Sequence, residues 1–351
     1  MAKRLTKKAQ IVLCTLTALL LVLAVWTIWG NSALTVSTVV VTTDSVPAVF
    51  SGFRIAQVSD LHNAEFGKNN TRLLELLSTN QPDIIVITGD LVDSRHTDID
   101  IALSFAEEAV RIAPVYYVTG NHEANLSQYD RLRDGLEAVG VSVLDDRAVE
   151  LERNGEKITL IGLSDPDFIM KGDMFGEVPA MINTKLENLT DTDNSYTILL
   201  SHRPELFENY VINGIDLILS GHTHGGQFRL PFVGGLIAPN QGLFPKYDAG
   251  LYIDGSTHMV VSRGIGNSII PIRFNNRPEI VLVELYCFSK QARKLASKAE
   301  WYTLCRFAPQ NRLLGEAPNP PNSSVPELAA RSPGTLLIGR WPMEWAELRL
   351  R

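Results

Sequence analysis

The sequence predicts an α/β domain, and three observations carry that prediction. Short apolar runs recur at 53–58, 84–88, 115–119, 157–163, 196–200, 216–220, 258–262 and 279–285, and several are apolar without interruption. Continuous runs of this length suit strands buried on both faces. Helix-like stretches at 70–79, 99–112, 129–139 and 204–210 fall among them, an alternation that covers a sheet with helices. Finally, polar residues of one chemical kind follow the runs. Five of the seven histidines, His62, His122, His202, His222 and His224, lie in short motifs, most of them directly after an apolar run. In α/β sheets the carboxyl edge of the strands is where sites are built.

Residues 11–29 precede this pattern as an uncharged apolar run of nineteen. As a helix, it can cross a hydrocarbon core of about 30 Å. Trp26 and Trp29 stand at its far end, where interfacial aromatics belong. Lys3, Arg4, Lys7 and Lys8 precede it, which favours a cytoplasmic N-terminus. The expectation is a single-pass protein of the cell membrane, its main domain on the extracytoplasmic side. A cleaved signal peptide is the competing reading, with Asn31-Ser32-Ala33 a poor cleavage site. Residues 1–30 are therefore read as a membrane anchor or signal peptide. Residues 31–50, rich in Ser, Thr and Val, read as a linker able to become a first strand.

Residues 51–289 carry the alternation and are read as the main domain. Within them, 229–255 breaks the pattern: the stretch is apolar but divided by Gly and Pro. It reads as a packed surface loop; the competing readings are an apolar wall for a substrate and a patch that dips into a membrane. The tail, 290–351, has five prolines between 318 and 333 and no lasting period. It is expected to be loosely ordered and without a catalytic role.

Charge is unevenly spread. The chain carries −7 overall, with +4 in residues 1–29 and +5 in residues 290–351, which leaves −16 for the domain between them. Such an excess of acid repels nucleic acid and anionic bilayers unless bound cations offset it. Three cysteines without a CxxC pair give neither a disulfide framework nor a thiolate zinc site.

The motifs supply a different kind of site. Asp60 and His62, Asp90, Asn121, His202, and His222 and His224 offer seven oxygen and nitrogen ligands. Carboxylate, amide and imidazole suit divalent Mn, Fe, Zn or Co. Seven ligands exceed one tetrahedral zinc and suit two metals that share a carboxylate. On an extended segment, Asp60 and His62 would project to one side, as would His222 and His224, because side chains alternate with a period of two. A metal pair can hold a hydroxide and clamp a phosphoryl oxygen for in-line attack. Singly, each motif has a structural alternative: Gly89-Asp90 as a turn, Asn121 as a helix cap, His202 as a core histidine. The ordered set does not.

That ordered set resembles the calcineurin-like metallophosphoesterase family: Asp-x-His, Gly-Asp, Gly-Asn-His-Glu, a lone His, then Gly-His-x-His. The likeness runs from about Phe53 to Leu285. Gly221-His222-Thr223-His224-Gly225-Gly226-Gln227, with Ser201-His202-Arg203-Pro204 before it and Ser262-Arg263-Gly264 and Pro271-Ile272-Arg273-Phe274 after it, is similar to the bacterial membrane-associated branch. The resemblance implies a four-layer α/β/β/α sandwich behind an N-terminal transmembrane helix. It implies Asp60, His62 and His224 on a first metal, Asp90 bridging, and Asn121, His202 and His222 on a second. It also implies that His122 protonates the leaving group, with Glu123 placed to orient it. Asp93 reads as support for the ligands, or as a turn residue. Arg203, Arg263 and Arg273 are candidates for phosphate contact, each with a structural salt bridge as the alternative. His96 and His258 receive no role.

The function so implied is dinuclear metal-dependent hydrolysis of a phosphomonoester or phosphodiester by metal-bound hydroxide. The anchor and the apolar 229–255 stretch point to a lipid or envelope substrate. The alternative is a non-catalytic interaction module on the same scaffold; such relatives lose ligands or the histidine of the Asn-His pair, and this chain keeps them.

Overall fold

The computed structural model describes residues 6–169, 176–190, 195–267 and 270–288. The tail expected at 290–351 lies outside the described residues. The chain opens with a helix, α1 (Lys7–Ser32). Thr6 caps it by accepting the Ala9 N–H at 3.3 Å. α1 buries none of its residues against the protein and is long and apolar enough to cross a membrane. It is the candidate membrane span.

Two six-stranded sheets follow. The first contains β1 (Thr35–Thr43), β2 (Phe53–Val58), β3 (Ile84–Thr88), β4 (Val115–Val118) and β5 (Ser142–Val143). The second contains β6 (Arg147–Arg153), β7 (Glu156–Gly162), β8 (Tyr196–Leu200) and β9 (Leu217–Ser220). Two small hairpins come next: β10 (Arg229–Leu230) with β11 (Gly234–Gly235), and β12 (Ile237–Ala238) with β13 (Gly242–Leu243). β14 (Gly250–Asp254) and β15 (Thr257–Val261) join the second sheet, and β16 (Glu279–Cys287) returns to the first. The sheet orders are β1-β16-β2-β3-β4-β5 and β14-β15-β9-β8-β7-β6. β2 to β5 run parallel in one sheet, as do β7, β8, β9 and β15 in the other.

Alternation of side chains along the strands explains the layers. Ile55, Val86, Ile198 and Leu219 join one buried cluster between the sheets. Their neighbours Ala56, Ile85 and Ile87 turn the other way, into a cluster with Leu73, Leu77, Phe105 and Leu132. Those residues come from α2 (Thr71–Thr79), α3 (Ile99–Ala109) and α5 (Tyr129–Ala138); α4 (Asn121–Ala124) is a single turn between them. On the second sheet, Ile161, Leu199 and Ile218 face a third cluster with Ile182, Leu186 and Tyr210, from α6 (Val178–Leu189) and α7 (Phe207–Ile212). Helix, sheet, sheet and helix therefore stack as four layers.

Some boundaries differ from the sequence reading. The linker read over 31–50 does become a first strand: residues 35–43 form edge strand β1, paired in parallel with β16 along its whole length. The loop expected over 229–255 holds the two hairpins and β14.

Candidate metal centre

The seven candidate ligands all follow strand ends. Asp60 and His62 follow β2, Asp90 follows β3 and Asn121 follows β4; His202 follows β8, and His222 and His224 follow β9. Both sheets thus deliver ligands to one place, as the motif order implied. The local geometry is not the extended one expected. Asp60, His62, Asp90, His222 and His224 all have left-handed backbone, with φ between 48° and 71°. Such conformations cost non-glycine residues on the order of 1–3 kcal/mol each and gather at functional sites. Asp60 and His62 therefore meet because the chain curls after β2, not because a strand alternates. Hydrogen bonds hold that curl: Asp60 N–H donates to the Gly89 carbonyl at 3.0 Å, and His62 N–H to the Asp90 carbonyl at 3.0 Å.

Close backbone approach completes the packing. A Cβ on Gly221 would lie 1.9 Å from Ser59 Oγ, and one on Gly120 would lie 2.3 Å from Asp90 Oδ1. Glycine is required at both.

The ligand atoms form two groups around one carboxylate. Asp90 Oδ2 lies 3.5 Å from His62 Nε2 and 3.2 Å from His202 Nε2. On one side, His224 Nε2 is 3.2 Å from His62 Nε2 and 3.4 Å from Asp60 Oδ1. On the other, His222 Nδ1 is 3.1 Å from His202 Nε2. The Asp60, His62, Asp90 and His224 donors lie within 4.8 Å of one another, as do those of Asp90, His202 and His222. All these residues are buried.

Burial pushes the His62 and His224 imidazoles down to about 3 and holds His222 well below its ordinary value. They are neutral at pH 7, the form in which imidazole binds a metal. Burial also opposes charge on His202 and Asp90, but their mutual attraction prevails: His202 is pushed up to about 10 and Asp90 is held well below the carboxylate range. His62 Nδ1 and Asn121 Oδ1 are buried with no hydrogen-bond partner. Buried polar atoms normally have one. Histidine nitrogens facing each other and an orphaned amide oxygen fit cations held between them. These residues therefore fit the divalent metals that the donor chemistry calls for. A surface cleft beside Tyr129, Arg133, Asp145 and Ile169 contains none of them.

His122 stands beside the cluster, its ring centroid 4.4 Å from that of His62. Its backbone N–H donates to Asp90 Oδ1 at 2.8 Å. Its Nδ1 accepts the Ser94 N–H at 3.1 Å, so in the neutral ring the proton sits on Nε2. Asp93 Oδ1 lies 3.7 Å from that Nδ1 and also accepts the Arg95 N–H at 2.8 Å.

Residues 53–226 match the calcineurin-like phosphoesterase family. Over 247 residues the chain is 34% identical to the uncharacterized metallophosphoesterase YkuE of Bacillus subtilis, covering 68% of this chain and 81% of that one. The chain belongs to the calcineurin-like phosphoesterase family. It is also 29% identical over 243 residues to the phosphodiesterase YaeI of Escherichia coli, covering 66% of this chain and 82% of that one. A zebrafish relative, named as a transmembrane protein with a metallophosphoesterase domain, is 29% identical over 254 residues, covering 69% of this chain and 55% of that one.

Two features of the site differ from the sequence reading. Glu123, expected to orient His122, turns away from it. Its carboxylate accepts the N–H groups of Gly120 at 2.7 Å, Asp90 at 2.8 Å and Val92 at 3.1 Å. It ties the loop that carries Asp90 to the one that carries Asn121. Burial and the Asp90 charge raise the Glu123 acid, against the pull of the Gly120 and Val92 N–H groups. The partner of His122 is instead Ser94, which no motif marks.

The arginines expected at a phosphate are engaged elsewhere. Arg203 is buried and paired with Asp165 through Nε at 2.6 Å and Nη2 at 2.8 Å, with Asp167 a further 3.0 Å contact. Arg263 pairs with Glu279. Arg273, also buried, donates to the carbonyls of Arg263 and Gly266, and its Nη2 lies 3.2 Å from His224 Nδ1. Arg203 and Arg263 thus sit in the salt bridges that were their structural alternative, whereas Arg273 is held by backbone carbonyls.

Proposed function

We propose that the chain is a membrane-anchored, dinuclear metal-dependent phosphoesterase acting on a phosphomonoester or phosphodiester. The observation that carries this reading is the shared carboxylate: Asp90 Oδ2 lies within 3.5 Å of one donor group and 3.2 Å of the other. Asp60, His62 and His224 would hold one metal, and Asn121, His202 and His222 the other, with Asp90 between. Bound there, Mn, Fe, Zn or a similar pair supplies a water of lowered pKa and charge to match the phosphoryl oxygens.

The chain's own residues do the rest. Burial keeps His62, His222 and His224 neutral and excludes bulk water. His122 would act as the imidazolium, its Nδ1–H facing Ser94 Oγ and Asp93 Oδ1, and give its Nε2 proton to the leaving-group oxygen, which leaves the neutral ring. The catalytic domain proposed over 51–289 is completed by the preceding β1, which pairs with β16 as an edge strand. Four bases precede the apolar run 11–29, which supports an extracytoplasmic domain. The anchor supports a lipid or envelope phosphoester, and the acidic domain argues against nucleic acid.

The test is hydrolysis of bis(p-nitrophenyl) phosphate and p-nitrophenyl phosphate by the full chain in detergent. The full chain is used because β1 is bonded to β16 along its length. Stripped protein should be inactive, and Mn, Fe, Zn or Mg should restore turnover in the wild type but not in Asp90→Asn. Turnover by stripped protein, or equal turnover by Asp90→Asn, would overturn the reading.

A further inference from the structure

The segments around the metal ligand His224 carry an unusual set of exposed apolar side chains. The turn between β10 and β11 presents Phe232, 93% exposed, and Val233, 57% exposed. The second hairpin and its end present Leu243 at 71% and Phe244 at 64%. Ile270 and Ile272 are exposed on the segment after Asn267. Backbone bonds weld these pieces together: Leu236 N–H donates to the Phe228 carbonyl at 2.9 Å and Phe244 N–H to the Leu236 carbonyl at 2.8 Å. Gln227 Nε2 donates to the carbonyls of Ile270 at 2.7 Å and Ile272 at 2.8 Å. Large contiguous apolar patches on a folded domain mark an interaction surface.

The same segment holds the end of α1. Asn31 Nδ2 donates to the Arg273 carbonyl at 2.8 Å, and Arg273 N–H donates back to Asn31 Oδ1 at 2.8 Å. The Arg277 guanidinium stacks 4.9 Å from the Trp29 ring centroid and donates to the Ala33 and Leu34 carbonyls. A tryptophan ending an apolar span marks the level of the bilayer surface. Ile272 thus precedes a residue that is bonded two positions beyond that tryptophan.

We propose that the two hairpins and residues 270–272 form a membrane-docking surface that enters the same bilayer as α1. The occupant is lipid because the anchor that brings the bilayer is hydrogen-bonded to Arg273, the residue next to Ile272 of the patch. Docking fixes the domain against the headgroup layer, with His224 five residues before β10. It would serve the proposed phosphoesterase by bringing the metal centre to phosphoesters held at a membrane surface. For that purpose it rests on the function proposed above.

The test uses the full chain in nanodiscs of zwitterionic phosphatidylcholine, since the acid excess of the domain would oppose an anionic surface. Cys14, Cys287 and Cys305 are changed to Ser. A polarity-sensitive NBD probe is placed on Phe232→Cys, on Leu243→Cys or, as control, on Ile253→Cys at the exposed edge strand β14. Docking predicts a several-fold rise in emission at 232 and 243 and quenching by doxyl-labelled lipid, with neither at 253. A probe at 232 that is open to aqueous iodide and untouched by the lipid quencher would overturn the proposal. So would a probe shielded from both, the result expected if a protein or a second copy covers the patch. Hydrolysis of bis(p-nitrophenyl) phosphate by the same samples reports the function separately: turnover without quenching refutes docking alone, and quenching without metal-restored turnover refutes the phosphoesterase reading alone.

Discussion

Replacing Glu123 with Gln tests whether this buried carboxylate holds the two ligand loops together. It accepts three backbone N–H groups, from Gly120, Asp90 and Val92, at 2.7, 2.8 and 3.1 Å. Glutamine keeps one oxygen. If that oxygen serves Gly120 and Asp90, the amide NH2 faces the Val92 N–H, donor to donor. An orphaned buried donor costs about 1–3 kcal/mol. In a domain of this size each kcal/mol lowers Tm by about 2–4 °C, so thermal unfolding of Glu123→Gln should begin several degrees lower. Loss of such outer support typically lowers metal affinity about 10–100-fold, read by titrating stripped protein with Mn. Glu123→Ala orphans all three donors, roughly 3–9 kcal/mol, a large share of the 5–15 kcal/mol typical of a whole domain. It should fail to fold. A Glu123→Gln protein with wild-type Tm and wild-type metal affinity would refute this account of the loops.

Three further outcomes follow from the geometry. His122→Ala should keep its metals but lose about 10²–10⁴-fold in turnover, with a larger loss for alkyl esters than for p-nitrophenyl esters, whose leaving group needs little protonation; equal losses for both would count against the acid role. Gly221→Ala would place a Cβ 1.9 Å from Ser59 Oγ, which donates to Asp60 Oδ2 at 2.6 Å; overpacking of this kind costs about 1–3 kcal/mol, and metal titration should show weaker binding, whereas unchanged affinity would mean the strand end can relax. Burial raises the Glu279 acid, but the Arg263 charge and hydrogen bonds from Arg263 and Ser37 outweigh it and hold the acid below its ordinary value. Its stabilisation is therefore complete above the unfolded-state pKa and is lost as pH falls through the lower folded value. Glu279→Gln should flatten the acid limb of the Tm-against-pH curve, and an unchanged limb would show that the pair contributes nothing there.

The strands that carry ligands were legible because they are buried on both faces: 53–58, 84–88 and 196–200 match β2, β3 and β8 residue for residue. Strands with an open face were harder to read. β1 alternates Ser, Thr and Val, a pattern shared with linkers, and only pairing with β16 makes it a strand. β10 to β13 are two residues long each, too short for any period to show. The site itself was legible as a set of residue types after strands. Its internal geometry was not, because left-handed backbone, though commoner at Asp and His than at most residues, is still the minority state and nothing local marks Asp60 and His62 for it. The partners of Glu123 also depend on how loops from two strands meet, and no spacing within one motif records that. Asp165, which occupies Arg203, lies 38 positions from it.

The central claim is that two metals share Asp90, and it is met most directly by counting them. Full-length protein in detergent is stripped, titrated with Mn and assayed for bound metal by mass spectrometry and for turnover of bis(p-nitrophenyl) phosphate at each step. The structure predicts two ions per chain, turnover that rises with the second, and fewer than two ions in Asp90→Asn. Saturation of both binding and turnover at one ion per chain, or two ions retained by Asp90→Asn, would contradict it.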